Sequence, residues 1–167
     1  MLKVVKKMIK IEEIVEKYKG YEVDEEKLKE FLVPPKPTSV WDLKDGDPYY
    51  YLESEGTITL ASWCENIVSK RKRAHGNVFL TGKEADFEVE RRKIEAILLK
   101  YGRREFKNRD YNFYIVYDHN NSLATILNDT FCQYSNTIYF DTEELCQKAI
   151  GEVGKENIKK YIFGVKD

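Results

Sequence analysis

The residues of this chain whose types and spacing point to chemistry are cationic. Lys70-Arg71-Lys72-Arg73 stand in an unbroken run, and Arg91, Arg92, Lys93, Arg103, Arg104, Lys107 and Arg109 follow. Residues 70–109 hold thirteen Lys or Arg against six Asp or Glu, although the whole chain of 167 residues has a net charge of −1. The flanks 34–69 and 110–167 each carry an excess of four acidic charges, and 1–33 is balanced. A basic middle between acidic flanks can bind phosphate or an acidic protein surface. Arginine suits either, because its planar fork grips carboxylate or phosphate through paired hydrogen bonds. The candidate partner- or phosphate-binding residues are therefore Lys70, Arg71, Lys72, Arg73, Arg91, Arg92, Arg103, Arg104, Lys107 and Arg109, arranged as one cationic face. Nearby Tyr and Trp could stack bases if the partner is DNA or RNA. The competing reading is a solvated helix face whose charges pair four residues apart, as Glu88 with Arg92. The run Lys70–Arg73 is the more suggestive part, since its sequence has no acidic neighbour to neutralise it.

Reactive centres are harder to find. Only His75 and His119 could exchange protons near neutral pH. His75 lies among positive charges that disfavour its protonated form, and His119 follows Asp118, which favours it. Cys64, Cys132 and Cys146 are an odd number without metal spacing, and read as reduced, partly buried thiols rather than nucleophiles. There is no HxxxH, CxxC, HExxH, Walker loop, GxGxxG or GxSxG. The expectation is a chain with no catalytic residues, no metal and no cofactor. Tyr49-Tyr50-Tyr51 could form a binding platform, but strand alternation makes core packing the better reading.

The elements that must position these groups are legible from periodicity. Residues 3–19 place Val5, Met8, Ile11, Val15 and Tyr18 at three- and four-residue steps, with Gly20 as a C-cap. Asp24 opens a second helix through Phe31, which Pro34-Pro35-Lys36-Pro37 stops. A strand, Tyr49 to Glu53, turns at Ser54-Glu55-Gly56 into Thr57 to Trp63. Residues 64–76 read as irregular. A short strand, Val78 to Leu80, passes into a long helix through a capping box of Thr81 and Glu84. In that helix Phe87, Ile94, Leu98 and Tyr101 form a stripe that Ala85, Val89 and Ile97 widen, and Gly102 weakens its far end. Strands follow at Tyr111 to Asp118, Leu123 to Leu127 and Thr137 to Phe140. Asp141 and Glu144 can form a second box, opening a helix from Thr142 to Ile150 that breaks near Gly151 and Gly154. A last short helix covers Glu156 to Ile162.

The two halves share one order: strand, turn, strand, link, short strand, capped helix. The expected fold class is α+β, with two degenerate β-hairpin–strand–helix units packed together and an N-terminal helical hairpin. The expected boundaries are 1–33 for the helical hairpin, 34–48 for a Pro-rich linker, 49–109 for the first unit and 110–167 for the second. The 12 Tyr and 8 Phe point to a folded rather than a disordered chain. No apolar run is long enough to span a bilayer, and lysines break the N-terminus, so neither membrane insertion nor secretion is expected.

Residues from about Lys44 to Phe163 resemble a family of small accessory proteins from phages and prophages of low-GC Gram-positive bacteria. The likeness is carried by Asp45-Gly46-Asp47-Pro48-Tyr49-Tyr50-Tyr51, by Gly76-Asn77-Val78-Phe79-Leu80-Thr81-Gly82-Lys83-Glu84-Ala85, by Ile138-Tyr139-Phe140-Asp141-Thr142-Glu143-Glu144 and by Ile158-Lys159-Lys160-Tyr161-Ile162-Phe163-Gly164. The family pattern usually has acidic residues where Gly82 and Lys83 stand, and alanine in place of Cys146. The segment before Pro34 is outside the resemblance. These motifs are caps, strand ends and core aromatics, so they transfer no catalytic residue. What the resemblance implies is an anti-defence, anti-CRISPR-like protein in the cytoplasm of the host bacterial cell. Its partner would be a host defence protein, such as a CRISPR effector nuclease. The alternatives are a nucleic-acid-binding accessory protein using the basic 70–109 segment, and a small-ligand sponge or small enzyme with a pocket between the repeats.

Overall fold

A computed structural model of the chain describes residues 9–22, 24, 26–28 and 35–165. It is α+β and divides into two compact units, Met1–Lys36 and Pro37–Asp167. In the first, α1 (Ile11–Lys17) ends two turns after it begins, and Gly20 adopts φ +94° just beyond it. Val5 and Met8 of the expected stripe lie outside the described residues. Ile11, Val15 and Tyr18 are all exposed. Asp24 accepts hydrogen bonds from the amides of Glu26 and Lys27, as an N-cap should. The rest of the expected second helix, Phe31 included, lies outside the described residues.

In the second unit β1 (Pro48–Leu52) pairs antiparallel with β2 (Ile58–Ser62), with Tyr50 opposite Leu60. The segment expected to be irregular is instead helical, α2 (Ile67–Ala74). Asn66 caps it by accepting from the amide of Ser69, a signal that the basic run following it concealed. The chain then returns to β1, where Phe79 and Tyr50 exchange two backbone hydrogen bonds of 2.9 Å. Next comes α3 (Gly82–Tyr101), opened by the reciprocal Thr81–Glu84 box.

The second sheet has the order β4-β3-β5, all antiparallel: β3 (Asn112–Asp118), β4 (Leu123–Asp129) and β5 (Tyr139–Phe140). In each half, then, the first strand of a hairpin also pairs antiparallel with a later short segment that runs into a capped helix. The caps differ. α4 (Glu143–Val153) is capped by Thr142, whose side chain accepts from the amide of Leu145. Asp141, expected in that role, is held by Arg103 and Lys107 instead. α4 also runs through Gly151 and stops at Gly154, where φ reaches +86°. A short helix, α5 (Lys155–Asn157), continues as a π-helical turn over Ile158–Ile162.

Burial is divided rather than pooled. One cluster packs Ile94 and Leu98 of α3 against Phe140, Cys146, Ala149 and Ile158. A smaller one gathers Leu43, Tyr49, Trp63 and Val78 around the first hairpin. α3 runs past both, with Ala85 fully buried near its start and the rings of Phe87 and Tyr161 5.1 Å apart. Gly102 ends α3 at a close approach: a methyl group there would come within 2.7 Å of the Ile138 side chain and 2.8 Å of the Tyr139 carbonyl oxygen. Arg103 and Tyr139 then exchange two backbone hydrogen bonds of 2.8 Å. The glycine therefore serves a backbone-to-strand contact.

Candidate functional site

Most of the basic residues are engaged with nearby carboxylates or aromatic rings. Four of them sit on α2. Lys70 pairs with Glu65 at 2.9 Å, so the run does have an acidic neighbour, supplied from just before the helix. The Glu65 carboxyl lies below its ordinary range, held there first by the Trp63 indole and then by Lys70. Lys72 sits 3.0 Å from the centre of the Tyr51 ring, and partial burial lowers its pKa. Arg73 turns inward between Trp41 and Trp63, 4.8 and 4.5 Å from their ring centres. Arg71 alone of the four points to solvent without a side-chain partner among the described residues.

Most cations of α3 are bound to carboxylates, Arg91, Arg92 and Lys93 to those of the helix itself and Lys100 to Glu152 of α4. Arg91 donates to both oxygens of Glu88 and to Glu95, and Arg92 donates to Glu88. These contacts, Arg91 foremost, hold the Glu88 carboxyl below its usual range; Arg91 itself is raised, chiefly by its bond to Glu88. Lys93 pairs with Glu90 and Arg104 with Glu95. The solvated-face alternative therefore describes α3 better than a continuous cationic surface does.

Beyond α3, Arg103 and Lys107 both donate to Asp141, at 2.9 and 2.8 Å. Lys107, followed by Arg103, holds the Asp141 carboxyl below its ordinary range. Arg103 also donates to the side chain of Asn112, a fully buried amide that ties together Lys107, Asp110 and Asp129. This cluster is a structural joint between the end of α3 and the second sheet. Arg109 stands apart in a left-handed backbone conformation, with no side-chain partner among the described residues.

The remaining candidates do not converge. Asp118 accepts hydrogen bonds from Asn120 and Asn121, which lower its pKa and shape the turn. His119 lies edge-on to Tyr117. His75 is the exposed C-cap of α2. The thiols, read from sequence as partly buried, divide: Cys64 and Cys132 are exposed and Cys146 is buried. Tyr49 packs into the smaller core, as strand alternation implied, while Tyr50 and Tyr51 are half-buried.

What remains accessible is the outward face of α2. Ile67 and Val68 are 62% and 58% exposed, and Arg71 lies one turn further along the same side. Two branched aliphatics beside an unpaired guanidinium form a short apolar and cationic patch. The sequence pointed to Arg71 but not to Ile67 or Val68; the signal that could have found them is the Asn66 cap, which places 67, 68 and 71 on one side of a helix. No protein-family model, curated protein or solved structure matches this chain.

Proposed function

We propose that this chain is a phage or prophage protein that inhibits a bacterial defence system by stoichiometric binding to one of its effectors, an anti-CRISPR-like role without turnover. The observation that supports a protein partner is the outward face of α2, where Ile67 and Val68 are exposed beside unpaired Arg71. Aliphatic groups that stay in water in the free molecule gain most from a dry, packed contact, and arginine is enriched at the centres of such contacts. A phosphate backbone would instead favour several uncommitted cations, and Arg91, Arg92, Lys100 and Arg104 are engaged with carboxylates. The resemblance to phage accessory proteins supports a defence effector as the partner.

The test titrates the purified protein against CRISPR effector nucleases from low-GC Gram-positive hosts. Nuclease activity should fall to zero at an equimolar ratio, and the two proteins should co-elute. Val68→Asp and Arg71→Glu should each weaken the complex by roughly tenfold or more. Loss of the effector at substoichiometric amounts would replace binding with catalysis. Retention on DNA or RNA that fades steeply with salt, without inhibition, would favour the nucleic-acid reading.

A further inference from the structure

A cleft of about 620 Å³ opens between α3, the loop 135–138 and the turn that follows the π-helical segment. This size lies within the range of small-molecule sites. Its floor is apolar, formed by the half-buried Ile115, Ile138, Ile162 and Phe163. One wall is charged. There Glu95 accepts from Arg91 through one oxygen and from Arg104 through the other. Both Glu95 oxygens are engaged, so the carboxylate is poorly placed to hold a cation. Arg91 is taken up by Glu88 and Glu95 through all three of its nitrogens, which leaves Arg104 the better placed to hold an anion. Arg104 uses one N–H on Glu95, and its other donors have no partner among the described residues. Two positive groups and one negative group line the cleft. Sharing one carboxylate also fixes the two guanidiniums relative to each other, which reduces the ordering a ligand must impose.

We infer that this cleft binds a small molecule with an apolar body and one carboxylate or phosphate group, the anion held by Arg104 and the body laid on the Ile115–Ile138–Phe163 floor. The site is separate from the α2 face and does not depend on it. Carboxylate and phosphate share the chemistry that the guanidinium recognises. They are distinguished by comparing decanoate with decyl phosphate, with decanol as the uncharged arm, by isothermal titration calorimetry on the full chain.

One molecule of decanoate or decyl phosphate should bind per chain, at least about tenfold tighter than decanol, as expected for a charge-assisted hydrogen bond. The tighter of the two anions names the head group. Arg104→Gln should lose about that factor and Arg104→Lys should retain most of it. Arg92→Gln, on α3 but outside the cleft, should bind normally. Arg104 is exposed and outside both cores, so its variants should keep the parent's circular dichroism. Equal affinity for decanol, multiple binding sites, or an unchanged Arg104→Gln would overturn the assignment. Val68→Asp should leave ligand binding intact, so failure here and failure of the defence-effector reading can be told apart.

Discussion

Cys146 shows how a residue's setting overrides its chemistry. It is fully buried in the larger core, and desolvation, aided by the nearby Glu143 charge, pushes its pKa from 9.0 up to about 12. The thiol is therefore inert, whereas Cys64 and Cys132 meet solvent. Two thiols should react promptly with Ellman's reagent in the native protein, and the third only after denaturation. The same shift has a sign in stability. A thiol neutral in the fold but ionised in the unfolded chain stabilises the protein fully below pH 9, and that contribution is lost as pH rises toward 12. Relative to Cys146→Ala, the parent should lose up to about 1.4 kcal/mol of stability per pH unit across that window, read from urea unfolding. Residue type alone could not separate the three cysteines, because burial of Cys146 depends on Ile94, Leu98 and Ala124, which are distant in sequence.

At the scale of elements, the two capped helices obey one rule through different residues. Thr81 and Glu84 make the complete box at α3, as their spacing requires. At α4 the candidates Asp141 and Thr142 are adjacent, and either has the chemistry of an N-cap. The choice falls to Thr142 because Asp141 is drawn to Lys107 and Arg103, more than thirty residues earlier in the chain. Thr142→Ala should cost about 1 kcal/mol of unfolding free energy, the usual value of a lost cap. Asp141→Asn should cost less at neutral pH, because its ion pairs are half-exposed. A larger loss from Asp141→Asn in chemical denaturation would reverse the assignment. α2 teaches the complementary lesson: its cap, Asn66, was visible, but eight residues with four consecutive cations give little periodic signal, and its inner side is held by Tyr51, Trp41 and Trp63.

For the whole molecule, the chain divides at Lys36 into two compact units. Both buried clusters belong to residues 37–167. A chain beginning at Pro37 should therefore fold cooperatively, with a thermal midpoint within a few degrees of the full-length protein; loss of the transition would assign residues 1–36 a structural role. Within 37–167, charge is handled locally. Among the described residues, most of the basic middle is paired with carboxylates or stacked on aromatic rings, which leaves Arg71 and Arg109 as the cations of the candidate set without a side-chain partner. A surface of this kind favours short-range, shape-dependent contacts over long-range attraction.

The order of hairpins and capped helices was readable along the chain, because hydrophobic period, turn residues and N-cap chemistry act over a few neighbouring residues. The buried face of α3 followed from the same rule, and Ala85, Ile94 and Leu98 are its most buried positions. Which charges pair, which cysteine is dry, and why Gly102 must lack a side chain were decided only when distant segments met: Glu152 beside Lys100, Asp141 beside Arg103, Tyr139 against Gly102. The physical reason is range. Local propensity acts through backbone geometry within a turn or two, whereas desolvation and ion pairing depend on contacts that come into being only once the chain has packed.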